Sequence, residues 1–290
     1  MAIDEAQLET WSHQGAIQSS RDTYAAIKTV LESPQAPYAN RSYKVFLQGS
    51  YCNDTNVWAD SDVDIIIRLD GAYSSDITRL SQPEQDEYNA IPNASYGYTD
   101  FKKEVVAWLS KNFNGVNPGN KAIYIPASGK RREADVLVCQ QFRRYHSLAA
   151  RRFDRGICFW SKGTLIENFP EQHSDNLTAK HQDARQWVKP MVRIFKNLRN
   201  YMVEQDELGD GIAPSYFLEG LLYNVPSDRY DKTYQDTFVS CYDWAVAADR
   251  SKLVCANGLH WLVRDNSSTS WPTKDCEAFF QSARRVWQGW

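Results

Sequence analysis

Apolar positions along the first half of the chain switch between helical and strand spacing. Residues 5–31 carry apolar side chains at helical spacing, which predicts one long helix that ends before Ser33-Pro34. Runs of β-branched residues predict strands, and polar stretches predict loops. The elements predicted in this way are strands over 43–48 and 63–69, a loop over 71–98, a helix over 101–113, and strands over 122–125 and 133–138.

Further along the chain, strand spacing gives way to helical spacing. Residues 156–168 predict a hairpin that turns at Ser161-Lys162-Gly163, and from about residue 179 the period is helical. The predicted helices cover 188–201, 215–223, 235–248 and 274–287. This order predicts an α+β fold with a mixed sheet core and a long N-terminal helix over 1–175, a helical C-terminal domain over 176–290, and an active site in the cleft between them.

Composition and charge exclude several classes of protein. The 290 residues are 42% hydrophobic and 13% aromatic, which is enough for a real core and excludes wholesale disorder. The net charge of -3 does not favour a general nucleic-acid coat protein. No apolar run approaches the ~20 residues of a membrane span and the first residues do not resemble a secretory signal, so we expect a cytoplasmic protein with no membrane partner. The six cysteines lack metal-binding spacing, and we expect free thiols.

Acidic residues next to a predicted strand carry the candidate chemistry. Asp62 and Asp64 flank Val63, so on a strand both carboxylates lie on one face. Two adjacent carboxylates are tolerated in a partly buried place if a divalent cation lies between them, and oxygen ligands suit Mg²⁺ or Mn²⁺. Asp135, in a second strand, is the candidate third ligand for a pair of ions. Asp60 shares their parity, but we expect it in the preceding loop and rank it lower.

The residues Gln48, Gly49 and Ser50 end the preceding strand, and eleven residues separate Ser50 from Asp62. Glycine lets a backbone approach a phosphate closely, and the serine hydroxyl and the amides can bind its oxygens. Taken alone, Gly49-Ser50 is more often an ordinary turn and Asp62 a cap. The complete pattern of strand, Gly-Ser, Asp-x-Asp on a strand and a separate strand aspartate is much more specific, and it predicts a nucleotide and metal site.

This pattern resembles the DNA polymerase β-type nucleotidyltransferase superfamily, and the chain as a whole resembles the bacterial cGAS/DncV-like nucleotidyltransferases of CBASS anti-phage systems. The resemblance implies Mg²⁺-dependent transfer of nucleotidyl units between NTPs with release of pyrophosphate, with two ions at Asp62, Asp64 and Asp135. The product would be a cyclic di- or trinucleotide second messenger that reaches a downstream effector. The enzyme is expected to be a monomer.

The resemblance also assigns residues in the helical half to the nucleotide. Lys196 matches the lysine that contacts the triphosphate in such enzymes. Ser215 is a plausible N-cap at the next helix start, where free amides favour a phosphate, and Tyr216 would present a ring for a base to stack on. The basic face formed with Lys189 and Arg193 either binds the triphosphate or is a solvated surface. A second basic segment, over 143–155, either lines the acceptor side of the cleft or is a solvated loop.

Other functions stay open at this point. The chain could be a linear oligonucleotide synthase, a tRNA-end polymerase, or a transferase that modifies a protein or a small molecule. It could also be a nucleotide sensor without chemistry or an antitoxin-like binding module. Activation by DNA is not favoured, because the sequence has no Cys/His cluster for the zinc element that the animal relative uses on DNA.

Overall fold

A mixed sheet and a set of helices make up two interleaved parts of the chain. A computed structural model describes residues 2–15, 17–58, 62–230 and 232–290. The sheet unit comprises Ile17–Gln48 and Ser61–Pro170, and the helical unit comprises Met1–Ala16, Gly49–Asp60 and Glu171–Trp290. The predicted division into domains 1–175 and 176–290 stays a prediction.

The strands of the sheet unit form one sheet around two long central strands. β1 is antiparallel to β2, β2 is parallel to β5, and β5 is antiparallel to both β4 and β6. Ile65, Ile66 and Ile67 of β2 are all buried, as expected for a strand covered on both faces. The strands are β1 Tyr43–Leu47, β2 Val63–Asp76, β3 Asn117–Pro118, β4 Ile123–Ile125, β5 Ala134–Ser147, β6 Arg152–Ser161 and β7 Thr164–Asn168.

The polar stretch 71–98 is not the loop that its composition predicts. After a bulge between Leu69 and Tyr73, β2 continues to Asp76 and pairs with β5. The Gln140 side chain donates to Ser74 Oγ at 2.7 Å, so polar side chains here satisfy one another within the sheet. A short helix, α4 (Gln82–Asn89), follows, and a capping box formed by Ser81 and Glu84 stabilises its N-terminus.

The basic segment 143–155 is likewise not a solvated loop, because much of it lies in β5 and β6. Arg144 is buried and donates to the Glu167 carboxylate. The predicted hairpin over 156–168 is confirmed. Its turn places Lys162 at φ 49° and Gly163 at φ 79°, the two left-handed positions of a type I′ turn.

The predicted single helix over 5–31 is wrong, because the structure contains two helices there. The first helix ends before Gly15 and the second begins after it. The Gly15 backbone N–H donates to the Asn56 carbonyl at 3.1 Å. A Cβ on Gly15 would lie 2.7 Å from the Val57 carbonyl carbon, so only glycine permits this close backbone approach. The helices, besides two short 3-10 turns, are α1 Glu5–Ser12, α2 Gln18–Leu31, α3 Gly49–Cys52, α4 Gln82–Asn89, α5 Tyr98–Asn112, α6 Pro170–Asp183, α7 Val188–Glu204, α8 Ser215–Asn224, α9 Tyr234–Ala247 and α10 Thr273–Gly289.

The helical unit packs around α7, whose apolar side chains lie in its core. Met191, Phe195 and Leu198 are fully buried there. The predictions of α7 to α10 are confirmed within a few residues, whereas α6 begins before the predicted onset of helical spacing. In the part of the chain that the structure describes, none of the helices has both the length and the apolar character that a membrane span requires. All six cysteines are free, as expected, and Cys52 is exposed.

Candidate active site

Two of the predicted carboxylates lie side by side on neighbouring parallel strands. Asp64 of β2 is the register partner of Asp135 of β5, and strands in such a pair are about 4.8 Å apart. Both side chains are half-buried and share a face of the sheet with Ile66 and Leu137. Asp62 directly precedes β2 with the same parity. The structure therefore brings together three acids, of which the first and the last, Asp62 and Asp135, are 73 positions apart in the sequence.

Burial and two neighbouring acids act on the Asp135 carboxyl. Burial raises the pKa of Asp135, and the charges of Asp62 and Glu133 raise it further. Each neighbouring negative charge disfavours ionisation of this carboxyl. The end of the two strands is therefore a partly desolvated place with an excess of negative charge.

Two members of this acidic site were missed by the sequence analysis. Glu133 influences Asp135, and Tyr124 of β4 is the register partner of Asp135. Burial raises the pKa of Tyr124, as do the charge of Glu133, its hydrogen bond to Glu133 and the charges of Asp62 and Asp135. The parity of Glu133 with Asp135 was a usable signal. Nothing local marks Tyr124, because only strand pairing places it here.

The first phosphate-site residue, Gln48, adjoins the carboxylates through the backbone. Its N–H donates to the Asp64 carbonyl at 3.0 Å, at the end of β1. Its side-chain Oε1 is buried and has no hydrogen-bond partner among the described residues. Gly49 follows at φ 73°, a left-handed conformation that favours glycine, and it begins the one-turn helix α3. The segment is thus a short helix rather than a simple turn.

The donor set fits a hard divalent cation. The side chains are carboxylates, which Mg²⁺ and Mn²⁺ prefer, and a cation would relieve the repulsion that raises the pKa of Asp135. Within the described ranges, no three His, Cys, Asp or Glu side chains are arranged so that together they could hold a metal ion. The fit therefore rests on the oxygen chemistry and the excess charge. Asp60, the lower-ranked candidate, lies outside the described residues.

The basic face of α7 is occupied by the segment that follows Gly49-Ser50. Lys196 is fully buried, and its Nζ donates to the Thr55 carbonyl at 2.9 Å. Lys189 pairs with the Asp54 carboxylate at 3.1 Å, and Arg193 donates to the Asp54 carbonyl. The solvated-surface alternative for this face is therefore wrong. The structure gives Lys196 a contact within the protein, and its contact with a triphosphate stays a prediction.

The start of α8 differs in one respect from the prediction. Pro214 is the N-cap and Ser215 is the first helical residue, so the prediction that Ser215 caps the helix is wrong. The Ser215 Oγ accepts a hydrogen bond from Arg199 Nη1 at 3.4 Å. The half-buried Tyr216 ring stacks on His173, with centroids 4.9 Å apart and planes inclined by 27°. Its hydroxyl accepts a hydrogen bond from Asn257 at 3.0 Å.

The predicted site residues are divided between the two units. The sheet unit holds Gln48, Asp62, Asp64 and Asp135, whereas the helical unit holds Gly49, Ser50, Lys196, Ser215 and Tyr216. The predicted cleft between a sheet half and a helical half stays a prediction.

Comparison with known proteins identifies the family. Residues 175–288 match the family model of the cGAS/DncV-like nucleotidyltransferase C-terminal helical domain. The cyclic UMP-AMP synthase of Rhodothermus marinus is 35% identical over an alignment of 301 positions that covers 100% of this chain and 99% of that protein. The cyclic dipurine nucleotide synthase of Elizabethkingia meningoseptica is 34% identical over 276 residues, covering 92% of this chain and 93% of that protein.

A solved structure extends the likeness to three dimensions. The Rhodothermus marinus c-UMP-AMP synthase, solved with Apcpp and Upnpp, superposes with a TM-score of 0.89 at 33% identity, covering 99% of this chain and 97% of that one. These relatives are nucleotidyltransferases and bind NTP analogues, and nucleotidyltransferases of this kind generally use divalent metal ions. Full-length identity above 30% and the shared fold lead to one conclusion: the chain belongs to the cGAS/DncV-like nucleotidyltransferases.

Proposed function

We propose that this chain joins NTPs into a cyclic di- or trinucleotide second messenger and releases pyrophosphate. The observation that carries the proposal is the register pairing of Asp64 with Asp135, with Asp62 beside them, in a chain related over its full length to cyclic nucleotide synthases. A binding module without chemistry would not need a half-buried carboxyl whose ionisation is disfavoured by neighbouring acids.

Each carboxylate has a role in the proposed reaction. Asp62, Asp64 and Asp135 would hold two Mg²⁺ ions, or Mn²⁺, which when bound supply positive charge to the triphosphate and to the attacking oxygen. Asp135 would also aid removal of the proton from the acceptor hydroxyl. The hydroxyl oxygen bonds to the α-phosphorus, the bond from that phosphorus to the β-bridging oxygen breaks, and pyrophosphate leaves.

Residues around the segment 48–50 and the start of α8 bind the donor nucleotide. Gln48 offers a buried side-chain oxygen without a partner in the described chain, and Gly49 and Ser50 offer a backbone that a phosphate can approach. Ser215 adds a hydroxyl, and Tyr216 presents a ring for a base to stack on. Lys196 supports the same region through Thr55, and a direct contact with the triphosphate remains part of the proposal.

The biological setting follows from the family. CBASS systems use such messengers in anti-phage defence, so we propose that the product activates a separate effector and that the protein acts as a cytoplasmic monomer without DNA. The relatives differ in the bases they join, including uracil with adenine in one and two purines in another. The family alone therefore does not specify the bases of the product, and they must be identified by experiment.

One incubation tests this function. The protein is mixed with all four NTPs and Mg²⁺, and the products are identified by mass spectrometry and by resistance to exonuclease and phosphatase. A cyclic product is expected, and it should disappear in D62N/D64N while that variant keeps its circular dichroism spectrum. Linear products alone would favour an oligonucleotide synthase. The absence of any product from NTPs would refute the proposal.

A further inference from the structure

A buried cluster of polar side chains joins three helices of the helical unit to the segment after Gly49-Ser50. At its centre is Glu219 of α8, which is 4% exposed. Its carboxylate accepts hydrogen bonds from Asn53 Nδ2 at 3.1 Å and from the Thr55 hydroxyl. His173 of α6 adds a third bond at 2.6 Å to the same carboxylate. A buried carboxylate with three partners is one that the fold holds in a single place.

The ionisation state of Glu219 explains why the partners are arranged in this way. Burial raises its pKa, but the hydrogen bond and charge of His173, the Thr55 hydroxyl and the charge of Lys196 together outweigh burial and leave the pKa below its usual value. The group is therefore an anion that only accepts hydrogen bonds, and its three neighbours all donate. A neutral amide of the same shape would turn a donor toward one of these donors.

The cluster has two ends, and both reach residues assigned to the nucleotide. At one end, Asn53 and Thr55 lie within six residues of Gly49 and Ser50. The backbone N–H of Asn53 donates to the Gly49 carbonyl at 3.2 Å. At the other end, the His173 ring stacks on Tyr216. Glu219 is thus two contacts away from the Gly49-Ser50 segment, through Asn53 or Thr55, and two contacts away from the Tyr216 ring, through His173.

We propose that Glu219 is a positioning residue, which through Thr55, Asn53 and His173 holds the Gly49-Ser50 segment and the Tyr216 ring in one fixed arrangement for the donor NTP. This inference rests on the proposed function, since it takes the ligand of that segment to be a nucleoside triphosphate. Glu219 itself touches neither phosphate nor base. Its effect is to remove in advance the ordering that the segment would otherwise undergo on binding.

The variants Glu219→Gln and Thr55→Val test the inference, with Glu277→Gln as the matched control. Glu277 is a half-exposed partner of Arg250, so its replacement changes the same charge without touching the cluster. We expect E219Q to raise KM for NTPs about tenfold, because the segment must then be ordered during binding, while kcat per folded molecule changes less. T55V should raise KM in the same direction, and the double variant should raise it no further than E219Q, because both remove one coupled interaction. E277Q should match the wild type.

A second measurement separates this inference from the proposed function. In the nucleotide-free protein, E219Q should increase amide hydrogen exchange at residues 50–56 relative to E277Q. If the wild type makes no product, the proposed function fails, and the affinity of the variants for a non-hydrolysable ATP analogue then decides the inference in place of KM. An unchanged KM or affinity in both folded variants would overturn it. A loss of kcat that follows the folded fraction at constant KM would also overturn it, because Glu219 would then be only structural. If E219Q does not fold, T55V alone gives the answer.

Discussion

Replacing Asp135 by asparagine should remove activity and yet stabilise the protein in the absence of divalent cations. Asp135 is half-buried, and burial together with the charges of Asp62 and Glu133 raises its pKa. Two like charges about 6 Å apart interact by about 3 kcal/mol at an effective dielectric constant of about 20, and partial exposure reduces this to the order of 1 kcal/mol. The D135N variant should therefore gain roughly 1 kcal/mol in free energy of unfolding in EDTA, or about 2–4 °C in Tm.

Magnesium should make the wild type more stable than D135N, which reverses the order expected in EDTA. An ion that binds the folded state only, at 100 times its Kd, adds about 2.7 kcal/mol to the wild type, and D135N should gain clearly less because it has lost a proposed ligand. Cyclic product should fall at least about a hundredfold, because the proposed proton acceptor and a proposed ligand are both lost.

Differential scanning calorimetry with EDTA or with saturating Mg²⁺ measures both effects, and Glu87→Gln is the matched control. Glu87 is an exposed acid of the same unit, so its loss should change neither Tm nor the magnesium response. The raised pKa also fixes the pH dependence. The cost of ionising Asp135 appears as the pH rises through its folded pKa, so the advantage of D135N should vanish as the pH falls below the ordinary value of 3.8. A D135N protein that is less stable than the wild type in EDTA, or equally stabilised by Mg²⁺, would refute the reasoning.

Three further predictions concern single residues. Gly15→Ala should lower the free energy of unfolding by about 1–3 kcal/mol because its Cβ would meet the Val57 carbonyl, whereas Gly71→Ala, with open space around it, should cost less; equal Tm values would contradict this. A thiol reagent should label Cys52 in the native protein and all six cysteines only after unfolding, as counted by mass spectrometry. The pKa of Glu219 is lowered, so its contribution to stability is present above its ordinary value of 4.5 and is lost as the pH falls through the folded value. The stability gap between wild type and E219Q, measured by urea unfolding at several pH values, should therefore close in acid and should not widen.

Patterns within a single element predicted most of the fold. Strand alternation placed Asp62 and Asp64 on one face, and helical spacing predicted α5 and the later helices, because both depend only on neighbouring residues. The prediction failed at Gly15 and over 71–98. There, distant backbone decides the structure: Asn56 pairs with Gly15, and β5 pairs with the second half of β2.

The sequence by itself determined the family and the three acids, because their types and spacing along the chain are local facts. Only the tertiary structure decided which groups meet. It paired Asp64 with Asp135, added Tyr124 and Glu133, and turned the basic face of α7 from a candidate surface into a buried support for Asp54 and Thr55. Charge and hydrogen-bonding capacity are properties of a residue, whereas burial and partners depend on strand pairing and helix packing over more than a hundred positions of the chain.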